Sequence, residues 1–416
     1  MRTWRDEARE HARTILQAAL NAVQPQVVMR QVALAEGALH LPDGHRARLA
    51  GRTVRVAAMG KAAGMMAAHA QPWGPLHEVV VCAPYAVDIP GFESYVGGHP
   101  FPTDESVRAG ERILQLARAT APDDLLIVLL SGGASAMCEA PMVPLADLRR
   151  ATGALLASGA PIDEVNLLRR HLSWLKNGGL ARECRGEVLV LAVSDVDEPA
   201  TLASGPTLAD GSSPQQALAM LERRGLAEAM PSSVLDMLAR PALPAPARPA
   251  PVHVLADTST AVRAATAAAQ ALGYAPRGMP RWLAGEARER GAEIGALART
   301  LPARTAVVAG GETTVHVVGE GRGGRNQELA LAAVDALSGR DALLAAFATD
   351  GVDGPTDAAG AIVDGLTRAR ADALGLDAHA ALAENDSYAY FEALEDLIRT
   401  GPTGTNVRDL VVLLVE

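Results

Sequence analysis

Residues 125–135 read LLIVLLSGGAS: six apolar residues in a row, then Ser131, Gly132, Gly133 and Ser135. A short run that is apolar at every position is buried on both faces, the state of a strand in a sheet covered by helices on each side. The pattern recurs at VRVAAMG (54–60), EVVVCAP (78–84), EVLVLAVSD (187–195), VHVLAD (252–257), TAVVAGG (305–311), ALLAAFATDG (342–351) and DLVVLLVE (409–416). Most of these runs end in glycine, serine or aspartate and lead into a helical pattern, so the chain reads as α/β with largely parallel sheets. Ahead of them, Ala8, Ala12, Ile15, Ala19 and Val23 recur at three and four residues, one apolar stripe of an amphipathic helix.

At 416 residues the chain exceeds one ordinary domain. The boundary is expected near residue 247, inside ARPALPAPARPAP (239–251), where five prolines fall in eleven positions from Pro241. Repeated proline cannot continue a helix and favours an extended connection; a surface loop inside one domain is the alternative. With 38 basic and 48 acidic residues the net charge is −10, which disfavours binding to a nucleic-acid backbone. Cys82, Cys138 and Cys184 show no CxxC spacing, so neither a zinc site nor a disulfide framework is expected, and a cytoplasmic location is. The charged opening MRTWRDEAREHAR is no signal peptide, and no apolar run reaches about 18 residues, so no membrane partner is expected.

Ligands of open α/β sheets gather at the carboxyl ends of strands. Gly60-Lys61 follows the first run, where backbone amides and a helix dipole favour an anion; a solvated surface lysine is the plainer reading. Ser131, Gly132, Gly133 and Ser135 form either an anion loop or a tight turn. Ser194, Asp195 and Asp197 end another run, and an aspartate there can bind a metal, accept a hydroxyl proton or simply cap a turn.

Further along, Gly310, Gly311 and Glu312 lead into TTVHVV, read as the second arm of a hairpin, and Arg322 and Arg325 flank a glycine cluster opening a helix. Gly319, Gly321 and Gly324 satisfy GxGxxG with Asp341 about 20 residues on, the outline of a dinucleotide fingerprint. The hairpin context and two arginines in so short a loop favour direct capture of phosphate or carboxylate instead. Asp350, Asp353, Asp357 and Asp364 crowd among glycines, a density that points to a divalent metal or hydroxyls. TGPTGTNVRD (400–409) adds a polar loop with Thr405 and Asn406. His99 and His171 belong to no ligand motif and read as structural or as supports behind the residues that touch a ligand, and nothing nominates a hydrolase nucleophile.

Taken together, MGKAAG, GGHPFPTDESVRAGERIL, LLSGGASA, RRHLSWLK, ASGPT, GEARER, GGETTVHVVGEGRGGRNQELALAA, TDGVDGPTDAAGAIVDG, NDSYAYFEAL and TGPTGTNVRDL resemble, in order and over nearly the whole chain, the glycerate 2-kinase family. The resemblance implies two α/β domains: a Rossmann-like N-terminal domain, 1–247, and a smaller mixed-sheet domain of MOFRL type, 248–416, with the active site in the cleft between them. It implies transfer of the γ-phosphoryl group of ATP to the 2-hydroxyl of D-glycerate with Mg²⁺ or another divalent cation, by a homodimer or monomer. Lys61 would meet the transferring group, Asp195 would be base or metal partner, and Arg325 would hold a carboxylate or phosphate. Glu312 and Asp350 would organise metal and Arg325, making Asp195 and Asp350 the metal candidates. Gly60, Ser131, Gly132, Gly133, Ser135, Asn326, Thr405 and Asn406 would cradle anionic oxygens. Two stretches depart from the family pattern: Ser194-Asp195-Val196 runs straight into Asp197-Glu198-Pro199, leaving open which aspartate is catalytic, and Lys176-Asn177-Gly178-Gly179 replaces a Lys-Gly-Gly-basic run. The rival readings are an NAD(P)H-dependent hydroxypyruvate reductase, a kinase of another small 2-hydroxy acid, and a sugar-acid-binding protein without catalysis.

Overall fold

The structure, a computed structural model, describes residues 4–416. The chain forms two compact units: Val28–Leu255, and the segment ending at Val27 with Ala256–Glu416, which includes helix α1 (Trp4–Ala22). This differs from a split at 247 in two ways. The proline run stays with the first unit, held by Arg182 Nη1 to the Pro244 carbonyl (3.0 Å) and Thr207 Oγ1 to the Ala250 carbonyl (3.0 Å). The amphipathic stripe of α1 is buried as expected, but against the C-terminal unit.

In the first unit six strands form one sheet: β1 (Val54–Met59), β2 (Glu78–Ala83), β3 (Phe92–Val96), β4 (Leu125–Ser131), β5 (Glu187–Val193) and β6 (Val252–Ala256). Their spatial order is β3-β2-β1-β4-β5-β6, and every pair from β3 to β5 is parallel. That is the doubly wound order, with its switch point between β1 and β4. Helices α2 (Ala63–Ala70) and α3 (Asp104–Ala119) pack on the sheet, and α3 starts at a Thr103–Ser106 capping box. Four helices between residues 145 and 238 bury a separate cluster that includes Leu148, Leu168, Met220 and Val234.

The second unit holds β7 (Ala275–Leu283), β8 (Thr305–Gly311), β9 (Ala342–Ala348), β10 (Gly360–Asp364), β11 (Leu397–Ile398) and β12 (Asp409–Val415), in the order β7-β8-β12-β9-β10-β11. Only β7–β8 is parallel, so this sheet is mixed rather than largely parallel. The apolar runs misled on direction because β8, β9 and β12 are buried on both faces whichever way they run. Residues 312–318 form no hairpin arm; they make one isolated bridge, Thr314 to Glu286. No helix among the described residues is long and apolar enough to cross a membrane.

Charge pins α1 as well as apolar burial: Arg5 Nε (2.7 Å) and Arg9 Nε (2.9 Å) both reach Asp364, and Arg9 Nη1 reaches Asp396 at 2.8 Å. Both aspartates are buried. Among the described residues Arg9→Ala leaves Arg5 as the one cation paired to Asp364 and Arg370 as the one paired to Asp396, at an expected cost on the order of 2 kcal/mol. The readout is a lower denaturant midpoint at constant slope; an unchanged midpoint means that the apolar stripe alone holds α1.

Candidate functional site

Three of the expected loops emerge side by side. Met59 lies opposite Leu130, and Leu130 opposite Ala192, so Lys61, Gly132–Gly133 and Asp195 leave the carboxyl edge on neighbouring strands. At about 4.8 Å per strand, β1 and β5, whose ends lead into Lys61 and Asp195, run about 10 Å apart. Gly60 has φ +115°, and a Cβ there would meet the Ser131 carbonyl oxygen at 2.4 Å. The Lys61 amide donates to the Gly132 carbonyl at 2.9 Å. Ser131 Oγ accepts from the Ala62 amide at 2.9 Å and donates to the Met59 carbonyl, so this buried hydroxyl ties two turns together.

Gly133 (φ +82°) opens the short helix α4 (Ala134–Met137); a Cβ on it would sit 3.4 Å from the His99 ring and 3.5 Å from Lys61 Cγ. His99 thus borders the turn. Ser135 Oγ lies 2.7 Å from Ser204 Oγ, which donates onward to Asn166 Oδ1 (3.4 Å). Ser204 lies in the ASGPT stretch, where the resemblance implies no role for it, and Asn166 lies outside the stretches that carry the resemblance. After β5 the Ser194 hydroxyl bonds both the amide and the carbonyl of Val196, fixing the turn that carries Asp195. Asp195 is half-buried and Asp197 exposed. Nearby, the buried Lys176 ammonium donates to Glu139, which also accepts from Ser173 Oγ and from the Ala140 amide.

In the second unit a strand pairing gathers other expected residues: Asp409 lies opposite Gly311 and Ala348, so Glu312, Asp350 and Asp409 share one edge. Arg325 begins helix α5 (Arg325–Ala332) and grips Asp409 with Nε (2.5 Å) and Nη2 (2.9 Å), while Nη1 meets Glu312 at 2.8 Å. Three of its five N–H donors are used, and 32% of the side chain stays exposed. Burial works against the Arg325 charge, but Asp409 and Glu312 outweigh it and raise its pKa. Burial pushes Asp409 up to about 7 in spite of Arg325.

The aspartate cluster resolves into separate tasks rather than one metal cage. Asp353 caps α5, accepting from the amides of Asn326 (3.1 Å) and Gln327 (2.9 Å) and from both their side chains. Asp357 meets Tyr388 and Arg399, and Asp364 meets Arg5 and Arg9. Asp350 remains at the edge, its Oδ1 accepting from the Val352 amide at 3.1 Å. Among the described residues no three His, Cys, Asp or Glu side chains converge as metal ligands. Thr405 Oγ1 donates to the Val23 carbonyl at 2.8 Å, and Asn406 Oδ1 accepts from the Arg408 amide.

Dinucleotide binding finds no support in this loop. The amides that would receive a pyrophosphate already hold Asp353, and a Cβ on Gly324 would lie 2.3 Å from its carboxyl carbon. Asp341 is exposed and precedes β9 instead of ending a strand.

Residues 11–239 match the family described as "Domain of unknown function (DUF4147)", and residues 305–409 match the MOFRL family. A relative from Thermotoga maritima named D-glycerate 2-kinase is 38% identical over 382 residues, covering 87% of this chain and 90% of its own. The chain belongs to the glycerate 2-kinase family. A solved glycerate kinase structure from the same organism superposes with a TM-score of 0.86 at 36% identity, over 99% of this chain and 100% of that one. Another relative, from Agrobacterium vitis, is 39% identical over 99% of this chain and 96% of its own, and carries a hydroxypyruvate reductase name.

The Asp409 carboxyl, with its folded-state value near 7, holds a proton that the unfolded chain gives up near its ordinary 3.8. Stability from that proton is full below about pH 4 and is lost as pH rises towards 7. Relative to Asp409→Asn, the wild type is therefore expected to lose stability over that window, by denaturant melts at each pH. A gap that widens in its favour means that Asp409 is ionised throughout.

Proposed function

We propose that this chain transfers the γ-phosphoryl group of ATP to the 2-hydroxyl of D-glycerate, giving 2-phospho-D-glycerate. The observation that carries the reading is the line of Lys61, Gly132–Gly133 and Asp195 along adjacent carboxyl ends at the switch point of a parallel sheet. Membership of a family with members named for glycerate phosphorylation supports the substrate.

Phosphoryl transfer asks mainly for positioning and for neutralised charge. Lys61 supplies a mobile cation for the phosphoryl oxygens, while Gly133, without a Cβ, lets the backbone approach them. Asp195 accepts the proton of the attacking C2 hydroxyl. Arg325 offers its two remaining donors to a carboxylate or phosphate, held in orientation by Asp409 and Glu312. Ser131, Asn326 and Thr405 act by shaping their loops, since their polar groups are engaged by protein. A bound divalent cation would neutralise charge on the phosphate oxygens. Mg²⁺ keeps several waters and needs only one or two carboxylates beside substrate phosphates, which suits Asp195 or Asp350 better than an all-protein cage. Three free cysteines suit a reducing, cytoplasmic setting.

An ADP-release assay with ATP, Mg²⁺ and D-glycerate, coupled to enolase, tests both reaction and position, because enolase takes the 2-phosphate directly. ADP release with immediate enolase turnover is expected, and L-glycerate and other hydroxy acids serve as controls. NADH oxidation by hydroxypyruvate without ADP release would sink the kinase reading. Lys61→Ala is expected to lower kcat by about 10²–10³; a folded variant with normal turnover takes Lys61 out of the phosphoryl site.

A further inference from the structure

A cavity of ≈210 Å³ within the first unit is lined by Trp174, Asn177, Arg182 and Arg240. A cavity of about 150 Å³ accepts benzene, so this one admits a fused aromatic ring. Trp174 is 44% exposed at its wall, in a chain with only 3% aromatic residues, and indole offers a flat stacking face. Met142 and Met237 add apolar surface that adapts to an irregular outline.

The charge here opposes that of the whole chain. Against a net −10, three arginines line one small cavity. Arg170 is neutralised by Asp210 at 2.6 Å. Arg182 donates to the Pro244 carbonyl, and neither it nor Arg240 forms an ion pair among the described residues. Arg182 feels the Glu183 carboxylate only at a distance, since Glu183 is paired to Arg118. Two guanidinium groups without an ion pair match a phosphate better than a neutral ligand. The wall is also joined to the turn after β4: the Asn177 amide donates to the Ser204 carbonyl at 3.1 Å, and Ser204 Oγ meets Ser135 Oγ.

We propose that this cavity binds an adenine nucleotide, its base against Trp174 and its phosphates served by Arg182 and Arg240. The base is named on the strength of the kinase reading; the ring and phosphate chemistry is not. The nucleotide is either the phosphoryl donor itself or a second, regulatory molecule, and the experiment separates the two.

Calorimetric titration with ADP alone, without glycerate, reads binding independently of turnover. Trp174→Ala and Arg240→Ala are each expected to weaken ADP about tenfold, and so is Arg182→Ala if it folds. Arg240 is exposed, so its variant keeps the test open. A parallel tenfold rise in KM for ATP, with KM for glycerate unchanged, identifies the donor site. Loss of one of two ADP equivalents at unchanged KM identifies the regulatory one. ADP affinity unchanged in both Trp174→Ala and Arg240→Ala overturns the proposal. Inorganic phosphate binding as tightly as ADP overturns it too, since the ring would then contribute nothing. Weakened ADP binding in an enzyme inert towards glycerate upholds the cavity and removes the substrate reading instead.

Discussion

The turn that carries Lys61 is held chiefly from the neighbouring strand end, where Ser131 is the central contact. Its hydroxyl takes the Ala62 amide and reaches the Met59 carbonyl, while the Gly132 carbonyl takes the Lys61 amide. These bonds are buried, so losing the hydroxyl would strand an amide at about 1–3 kcal/mol, well above the net worth of an ordinary hydrogen bond. Gly60 completes the arrangement, because any Cβ there would drive the two turns apart. Parallel pairing puts β1 and β4 in register, and this contact turns that register into a fixed placement of one cation beside a glycine turn. The Ser194 turn does the same for Asp195 one strand further on.

The second unit solves a different problem, keeping carboxylates buried in its core. Asp353 receives two backbone amides at the start of α5, where the helix dipole also favours negative charge. Asp409 receives the side-on edge of Arg325, the first residue of the same helix. One helix terminus therefore answers both acids, and its orientation is set twice over. Arg325 profits in turn: its planar fork is clamped before any ligand arrives, so less side-chain freedom is lost when its remaining donors are used.

Much of this was legible in the sequence. All eight apolar runs are strands, and the loops that end them bear the residues that the geometry brings together. Two of the strands that escaped notice explain themselves: Phe92–Val96 is a half-buried edge, and Ala275–Leu283 contains two prolines and a glycine. Strand direction was hidden because burial on both faces is the same for either sense. The roles of polar side chains were least legible. Asp353, Asp357 and Asp364 look alike as letters, yet one caps a helix, one meets an exposed arginine and a buried tyrosine, and one anchors α1 across some 355 residues of sequence. The mate of a buried carboxylate is fixed by the fold, and no local spacing encodes it.

Net charge and local charge act over different distances, and this decides how an acidic chain can serve anionic ligands. At physiological salt the field of an exposed charge fades within about 8 Å. The excess of acids, scattered over the surface, therefore does little at a half-buried lysine or arginine. What matters there is which neighbours stand within the first few ångströms. Arg325 has two carboxylates at that range and still keeps donors in hand, so its pairs orient it without exhausting it. Arg182 has none paired to it, and its partial burial works against its charge. Glu183 stands near it but is committed to Arg118, so a cation in that position gains from an arriving phosphate that pairs with it directly.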